Sequence, residues 1–307
     1  MGNKQIIITA SDRRHGDFLV GHWLRSLKDN VRLDSTDVAV IDYGLSAYQR
    51  NLLDDTGIIR IAGKSDGHVV TSRFIDTGRY LASTEHDQVL FIDSADIIIQ
   101  SDISRVFTTH CDDFRVAGVD MEIMFFEQFI GTNFNRVTRK KLWSELKDKP
   151  VLNAGVIFAP RLKFIRLCRM VGRLVGNRSV YGPDQVAVNY FLYRERFKFL
   201  DHTYNFMPGT EQENFSIRDG VFYHADGRKV AVVHNAGHVK VLRPIANFGY
   251  GTSHNIMNHE AYYGKRAFFA LAGIVKGFFR KLKRPEISPL TVAYRPPGVR
   301  DRYGSGK

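Results

Sequence analysis

The chain has 307 residues, 44% of them hydrophobic and 25% charged, and only two cysteines, Cys111 and Cys168. This composition suits one large α/β domain with an appendage or two small domains, and it leaves no disulfide framework beyond a single bridge. No run of about 18 apolar residues exists to span a membrane, and a formal net charge of +12 points to an anionic partner: nucleic acid, an anionic membrane surface or a phosphorylated substrate.

The polar stretch Met1 to Gln5 leads directly into Ile6-Ile7-Ile8, without the charged-then-apolar pattern of a signal peptide. With so few cysteines, a reducing, cytoplasmic setting is expected. Gln5 to Ala10 reads as a strand, Asp17 to Leu27 as a helix, Val38 to Ile41 as a strand and Ser46 to Leu53 as a short helix. Ile58 to Ile61 is a third strand, Ser72 to Ala82 a helix and Gln88 to Ile92 a fourth strand. Strands separated by helices imply right-handed βαβ units and a mostly parallel sheet. Ligands of such sheets bind beyond the carboxyl ends of the strands, which places Ser11-Asp12 and Asp93 to Asp96 on the functional edge.

The middle of the chain is less regular. Met121 to Arg139 is aromatic-rich, and Val151 to Phe158 reads as a strand carrying Asn153-Ala154-Gly155. Leu162 to Val175 is an amphipathic helix whose Lys163, Arg166, Arg169 and Arg173 read as a solvated face. Asp184 to Arg194 is a further helix, and Val230 to Val233 a last strand before His234. His86, His110 and His202 read as structural or exposed. From about Tyr262 the character changes: Lys265 to Arg284 holds seven cations and no acid. There Phe268, Leu271, Val275, Phe278, Phe279 and Leu282 fall largely on one side of a helix and Lys276, Arg280, Lys283 and Arg284 on the other, a pattern suited to an anionic lipid surface. The tail after Pro285 is rich in Pro, Gly and Arg. The expected division is a catalytic domain, 1–261, and a basic helical tail, 262–307.

Two segments carry chemistry. The run Val89-Leu90-Phe91-Ile92-Asp93-Ser94-Ala95-Asp96 ends a buried strand with two carboxylates, which are costly there unless something positive compensates them; a hard divalent cation bridging a diphosphate is one such partner, and a plain turn or helix cap is the other reading. His234-Asn235-Ala236-Gly237-His238-Val239-Lys240 again follows an apolar strand. Its His, Gly and Lys can ligate a metal and clamp a pyrophosphate, or form an ordinary surface loop.

Together these segments resemble glycosyltransferase family 8, whose members carry an Asp-x-Asp motif after an apolar strand and a later His-x-x-Gly-x-x-Lys motif. Between them the family has an Asn-Ala-Gly strand and an Asp-Gln helix start, here Asn153-Ala154-Gly155-Val156 and Tyr181-Gly182-Pro183-Asp184-Gln185, followed by Tyr204-Asn205-Phe206-Met207-Pro208. The resemblance implies a GT-A α/β fold and a retaining hexosyltransferase that uses a UDP-sugar and Mn²⁺ or Mg²⁺. It implies Asp93, Asp96 and His234 as metal ligands, and Gly237 and Lys240 as contacts to the diphosphate. It also implies Asn153, Ala154 and Gly155 as donor-binding residues and Asp184 and Gln185 as catalytic residues at the transferred sugar, with Gln185 near the anomeric carbon. Thr9, Ala10 and Asp12 match the nucleoside-binding edge, and Arg73 matches a donor-binding arginine. The implied acceptor is a glycan or glycolipid of the kind found on bacterial surfaces, with the enzyme peripheral on the inner face of a membrane and no nucleic-acid partner.

The pattern departs from the family in three places. The acids stand as Asp93-x-x-Asp96, a spacing that in an extended strand puts the second side chain on the opposite face unless Ser94-Ala95 turns. Val186 stands where a second acid often follows Asp-Gln, and Val241-Leu242 where Pro-Trp usually follows the lysine. The competing readings are an inverting GT-A transferase or sugar-nucleotide hydrolase, with Asp120 or Glu122 as base, and a non-catalytic basic protein binding membrane or nucleic acid. The absence of RNA-binding signatures weighs against the last.

Overall fold

The first strand, β1 (Gln5–Asp12), shows why the chain builds a buried sheet. Ile6 and Ile8 enter one apolar cluster and Ile7 the other, and all three are fully buried. A strand hydrophobic on both faces must be covered on both. The computed structural model describes residues 4–64, 66–119, 129–130, 133–208, 214–236, 243–264, 267 and 271. These lie almost entirely within one compact unit, Met1–Tyr263. Asp120, Glu122, Gly237, Lys240 and all of Lys265 to Arg284 except Ala267 and Leu271 lie outside the described residues.

Beside β1 run β2 (Thr36–Tyr43) and β4 (Gln88–Ile92), both parallel to it, and β3 (Ile59–Ala62) lies parallel to β2. The sheet continues through β7 (Val151–Pro160), antiparallel to β4, then β6 (Phe114–Val119), antiparallel to β7, and β8 (Phe197–Phe199), parallel to β6. The order is β3-β2-β1-β4-β7-β6-β8. The sheet is thus mostly parallel, as expected, with β7 as the reversed strand. Because β7 runs backwards beside β4, with Ile92 opposite Val156, its leading residues Val151 to Gly155 lie beyond the carboxyl end of β4. Its Asn-Ala-Gly segment is therefore on the same edge as Asp93.

One face of the sheet is covered by α4 (Val69–Ala82) and α7 (Arg161–Leu174), where Phe74, Phe91 and Phe164 pack with Phe91 at 4.6 and 5.2 Å from the other two rings. The other face is covered by the helical segments α1 (Gly16–Phe18), the π-helical Leu19–Trp23 and α2 (Leu24–Asn30), with α5 (Ser104–Thr108). Ser46 and Gln49 close a capping box at the start of α3 (Ala47–Asp55), worth about 1 kcal/mol. The helix α6 (Arg136–Leu146) packs near α8 (Pro183–Leu192) over Val151.

Two shorter pairings complete the site's scaffold. The hairpin β9 (Phe215–Arg218) and β10 (Val221–His224) turns at Asp219-Gly220, both with positive φ, as a two-residue Asp-Gly loop should. The strand β5 (Ile97–Ile99) leaves the main sheet and pairs antiparallel with β11 (Val232–His234), setting His234 opposite Ile97. Two further short strands, β12 (Ile245–Ala246) and β13 (Ile256–Met257), pair with each other. Among the described residues no helix is long and apolar enough to cross a membrane.

Candidate active site

Between β4 and β5 the four residues Asp93 to Asp96 form a bend rather than a continuous strand, which cancels the opposite-face problem posed by their spacing. Three neighbours hold it. The Ser94 hydroxyl donates to the Ala10 carbonyl at 3.0 Å, the Asp93 N–H to the Gly155 carbonyl at 2.8 Å, and the Asn235 N–H to the Asp96 carbonyl at 2.8 Å. The result is a cluster in which one ligand atom each from Asp93, Asp96 and His234 lies within 4.8 Å of the others. His234 Nε2 is 3.4 Å from Asp96 Oδ1 and 3.9 Å from Asp93 Oδ2. Two carboxylate oxygens and an imidazole nitrogen converging in this way could hold a divalent cation.

Each acid turns its other oxygen to an arginine. Buried Arg73, on α4, bonds Asp93 Oδ1 and stacks its guanidinium over the Phe91 and Phe74 rings at 4.9 and 5.5 Å. Arg243 donates to Asp96 Oδ2 at 2.9 Å. Burial by itself would raise the Asp96 pKa, but His234, Arg243 and Arg73 outweigh it and hold the carboxyl below its ordinary range. Burial would likewise discharge Arg73, yet Asp93 and Asp184 keep it cationic. With Asp184 included, the carboxylates exceed the guanidiniums by one, so a divalent cation would turn the cluster from net negative to net positive. That is the sign a diphosphate needs.

The family model described as Glycosyl transferase family 8 matches residues 79–241, a span that contains both acids, Asn153 to Gly155, Asp184, Gln185 and His234. The chain belongs to glycosyl transferase family 8. It is accordingly a glycosyltransferase. Its fold is similar to that of galactosyltransferase LgtC, solved in complex with donor and acceptor sugar analogues, at a TM-score of 0.51 and 16% identity over 87% of this chain and 95% of that one. It is also similar to the bifunctional glycosyltransferase WbbM, at a TM-score of 0.51 and 15% identity over 79% of this chain but 47% of that one, so the chain spans about half of WbbM. At such identities the likeness is one of fold, and it establishes the GT-A α/β architecture. No curated protein matches the chain.

In this family 8 glycosyltransferase the remaining candidate residues divide by position. Gly155 sits where no larger residue fits: a β-carbon there would come 2.5 Å from His234 Cε1 and 2.9 Å from Asp93 Oδ2. Gly182 begins α8 with φ at 106°, and a β-carbon on it would meet the Phe129 ring. That turn delivers Asp184, buried, whose carboxyl is pushed up to about 6 by burial against the opposing pull of Arg73. Tyr181, on the same turn, is pushed up to about 12 by burial and by Asp184, Asp93 and Asp96.

Gln185 bonds the backbone of β7. Its Oε1 accepts from the Ala154 N–H at 3.0 Å and its Nε2 donates to the Leu152 carbonyl, while Asn189 accepts from Leu152 N–H at 2.7 Å. The two amides serve as a partner strand for the edge of β7. On β1, Thr9 is fully buried, Ala10 offers its carbonyl to Ser94, and Asp12 Oδ1 accepts from the His15 N–H at 3.0 Å and lies 2.7 Å from His15 Nδ1. Of these, Ala10 and Asp12 are partly open at the strand end.

Reading the sequence missed Arg243 and left Asn205 without a role. Asn205 lay within a quoted motif, whereas nothing in the local pattern marked Arg243. His86, without an identified partner in the sequence, bonds Asp37 at 2.8 Å.

Proposed function

We propose that this enzyme transfers a hexose from a UDP-sugar, with retention of configuration, to a membrane-associated glycan or glycolipid, using a divalent cation held by Asp93, Asp96 and His234. What supports the reading is the convergence of those three side chains on the carboxyl edge of β4, inside the region matched by the family. Mn²⁺ or Mg²⁺ would supply Lewis-acid charge neutralisation for the departing nucleoside diphosphate. Arg73 and Arg243 pair with the two acids and would add positive charge beside the diphosphate. Gly237 and Lys240 would contact the same diphosphate, as their motif implies. Asn153 and Asp184 would hold the transferred sugar, and Ala10 and Asp12 the nucleoside. Gln185 would lie near the anomeric carbon, as its motif implies, while its amide holds Leu152 and Ala154 of the sugar site's wall.

The net charge of +12 and the seven cations of Lys265 to Arg284 support an enzyme peripheral on an anionic, cytoplasm-facing membrane. Calorimetry of UDP binding, with Mn²⁺ and then with EDTA, tests the donor and the metal together. UDP should bind far more tightly with Mn²⁺, and equal affinities would overturn the metal role. A screen of UDP-glucose, UDP-galactose and their N-acetyl forms, with the product anomer read by NMR, tests sugar and stereochemistry. Release of a product with the inverted anomer would overturn retention.

A further inference from the structure

Asn205 is fully buried and follows a short 3-10 turn, His202–Tyr204, capped by the Asp201 side chain. Its amide touches two residues of the site. Nδ2 donates to Asn153 Oδ1 at 3.1 Å, and Oδ1 lies 3.1 Å from His234 Nδ1. An amide and an imidazole can usually be drawn either way round, but here one end of the chain is anchored by backbone. The Gly155 N–H meets the same Asn153 atom at 2.9 Å, and a backbone N–H can only donate. That atom is therefore the Asn153 carbonyl oxygen. Facing an oxygen, Asn205 must present its NH₂, which leaves its carbonyl for His234. An acceptor at Nδ1 requires the proton to be on Nδ1, and Nε2 is then a bare lone pair turned toward Asp93 and Asp96.

We propose that Asn205 is a positioning residue that sets His234 in the Nδ1–H tautomer, through the relay Gly155 N–H, Asn153, Asn205, His234. The inference rests on the reading of Asp93, Asp96 and His234 as a divalent-cation site, because only a deprotonated Nε2 can be a ligand. Two carboxylates pull the other way, since an acceptor near Nε2 favours a proton there. The Asp93 contact, at 3.9 Å, lies beyond hydrogen-bond reach and the Asp96 contact, at 3.4 Å, is long, whereas the Asn205 contact, at 3.1 Å, lies within the usual range. The orienting bond thus opposes the proton on Nε2 before any cation arrives, as outer partners of metal-binding histidines commonly do.

The test uses the full-length, metal-free protein at pH 8.5. Long-range proton–nitrogen NMR correlations of His234, assigned by their loss in His234→Gln, report which nitrogen is protonated. Wild type should carry the proton on Nδ1. Asn205→Asp, which keeps the acceptor, should retain it, and Asn205→Leu should shift it toward Nε2. Calorimetry with Mn²⁺ alone should show affinity weakened about 10–100-fold in Asn205→Leu and clearly less in Asn205→Asp. A wild-type His234 protonated on Nε2 overturns the proposal, and so does Asn205→Leu with wild-type tautomer and Mn²⁺ affinity. If Asn205→Leu does not fold, the wild-type tautomer decides by itself. A wild-type protein with Nδ1–H His234 that binds no Mn²⁺ upholds the relay and overturns the cation site, so the two failures read apart.

Discussion

Gly155 and His234 are in such close contact that a single methyl group on Gly155 would stand 2.5 Å from the imidazole Cε1. The same methyl group would press on the Asn153 and Asp93 oxygens, each at 2.9 Å, so it cannot be absorbed by moving one flexible side chain. His234 is pinned on its strand by Ile97 and its ring by Asn205. Gly155→Ala should therefore weaken Mn²⁺ binding at least about tenfold while lowering stability by only about 1–3 kcal/mol. Mn²⁺ calorimetry and urea unfolding of the same sample check both halves. An unchanged metal titration would show that the cluster has more room than its geometry indicates.

Asp93 and Asp96 approach His234 Nε2 at comparable distances, 3.9 and 3.4 Å. If both are ligands, Asp93→Asn and Asp96→Asn should each reduce Mn²⁺ affinity by about tenfold or more. A near-normal titration for Asp96→Asn would assign that acid to Arg243 instead of the metal.

Arg243 gives a prediction with two opposite signs. Its guanidinium, 2.9 Å from Asp96, competes with a cation for that carboxylate but adds attraction for phosphate. Arg243→Met should tighten Mn²⁺ binding and weaken UDP binding measured in saturating Mn²⁺. Calorimetry with each ligand decides it, and a change of the same sign in both would refute the assignment.

Asp184 links the site to stability. Its folded pKa of about 6 exceeds the unfolded value of about 3.9, so the folded protein holds the extra proton between those values. The stability contributed by that proton is fully present below about pH 4 and is lost as pH rises through about 6. Asp184→Asn keeps an uncharged group at every pH. It should leave stability nearly unchanged at pH 4 and raise it by about 3 kcal/mol at pH 8, with transfer activity lost. Unfolding midpoints at the two pH values check the sign, and equal shifts at both would refute it.

The tail prediction stands on sequence pattern. Truncation after Gly264 should leave UDP binding intact, since every donor motif precedes it, and should abolish salt-sensitive co-sedimentation with phosphatidylglycerol vesicles. If full-length and truncated proteins sediment alike, the membrane reading fails.

Much of the scaffold could be read from the sequence because its causes are local. Continuous apolar runs such as Ile6 to Ile8 and Val89 to Ile92, separated by helical periodicity, mark strands buried on both faces. The position of Asp93 at the end of such a run, and the order of the short motifs around it, identified the candidate edge and the family. The turn at Asp219-Gly220 carried an equally local signal, although the hairpin was not expected from it.

The tertiary structure alone decided what local patterns do not encode. The reversal of β7 depends on which strand it pairs with, and that pairing carries Asn153 and Gly155 past the end of β4. The bend at Asp93 to Asp96 depends on Ser94 meeting β1, and on β5 leaving the sheet to pair with β11. Arg243 reaches Asp96 across 147 residues of chain, and Asn205 reaches Asn153 across 52. Periodicity and propensity are properties of neighbouring residues, so contacts made at such separations leave no mark in the sequence until packing brings them together.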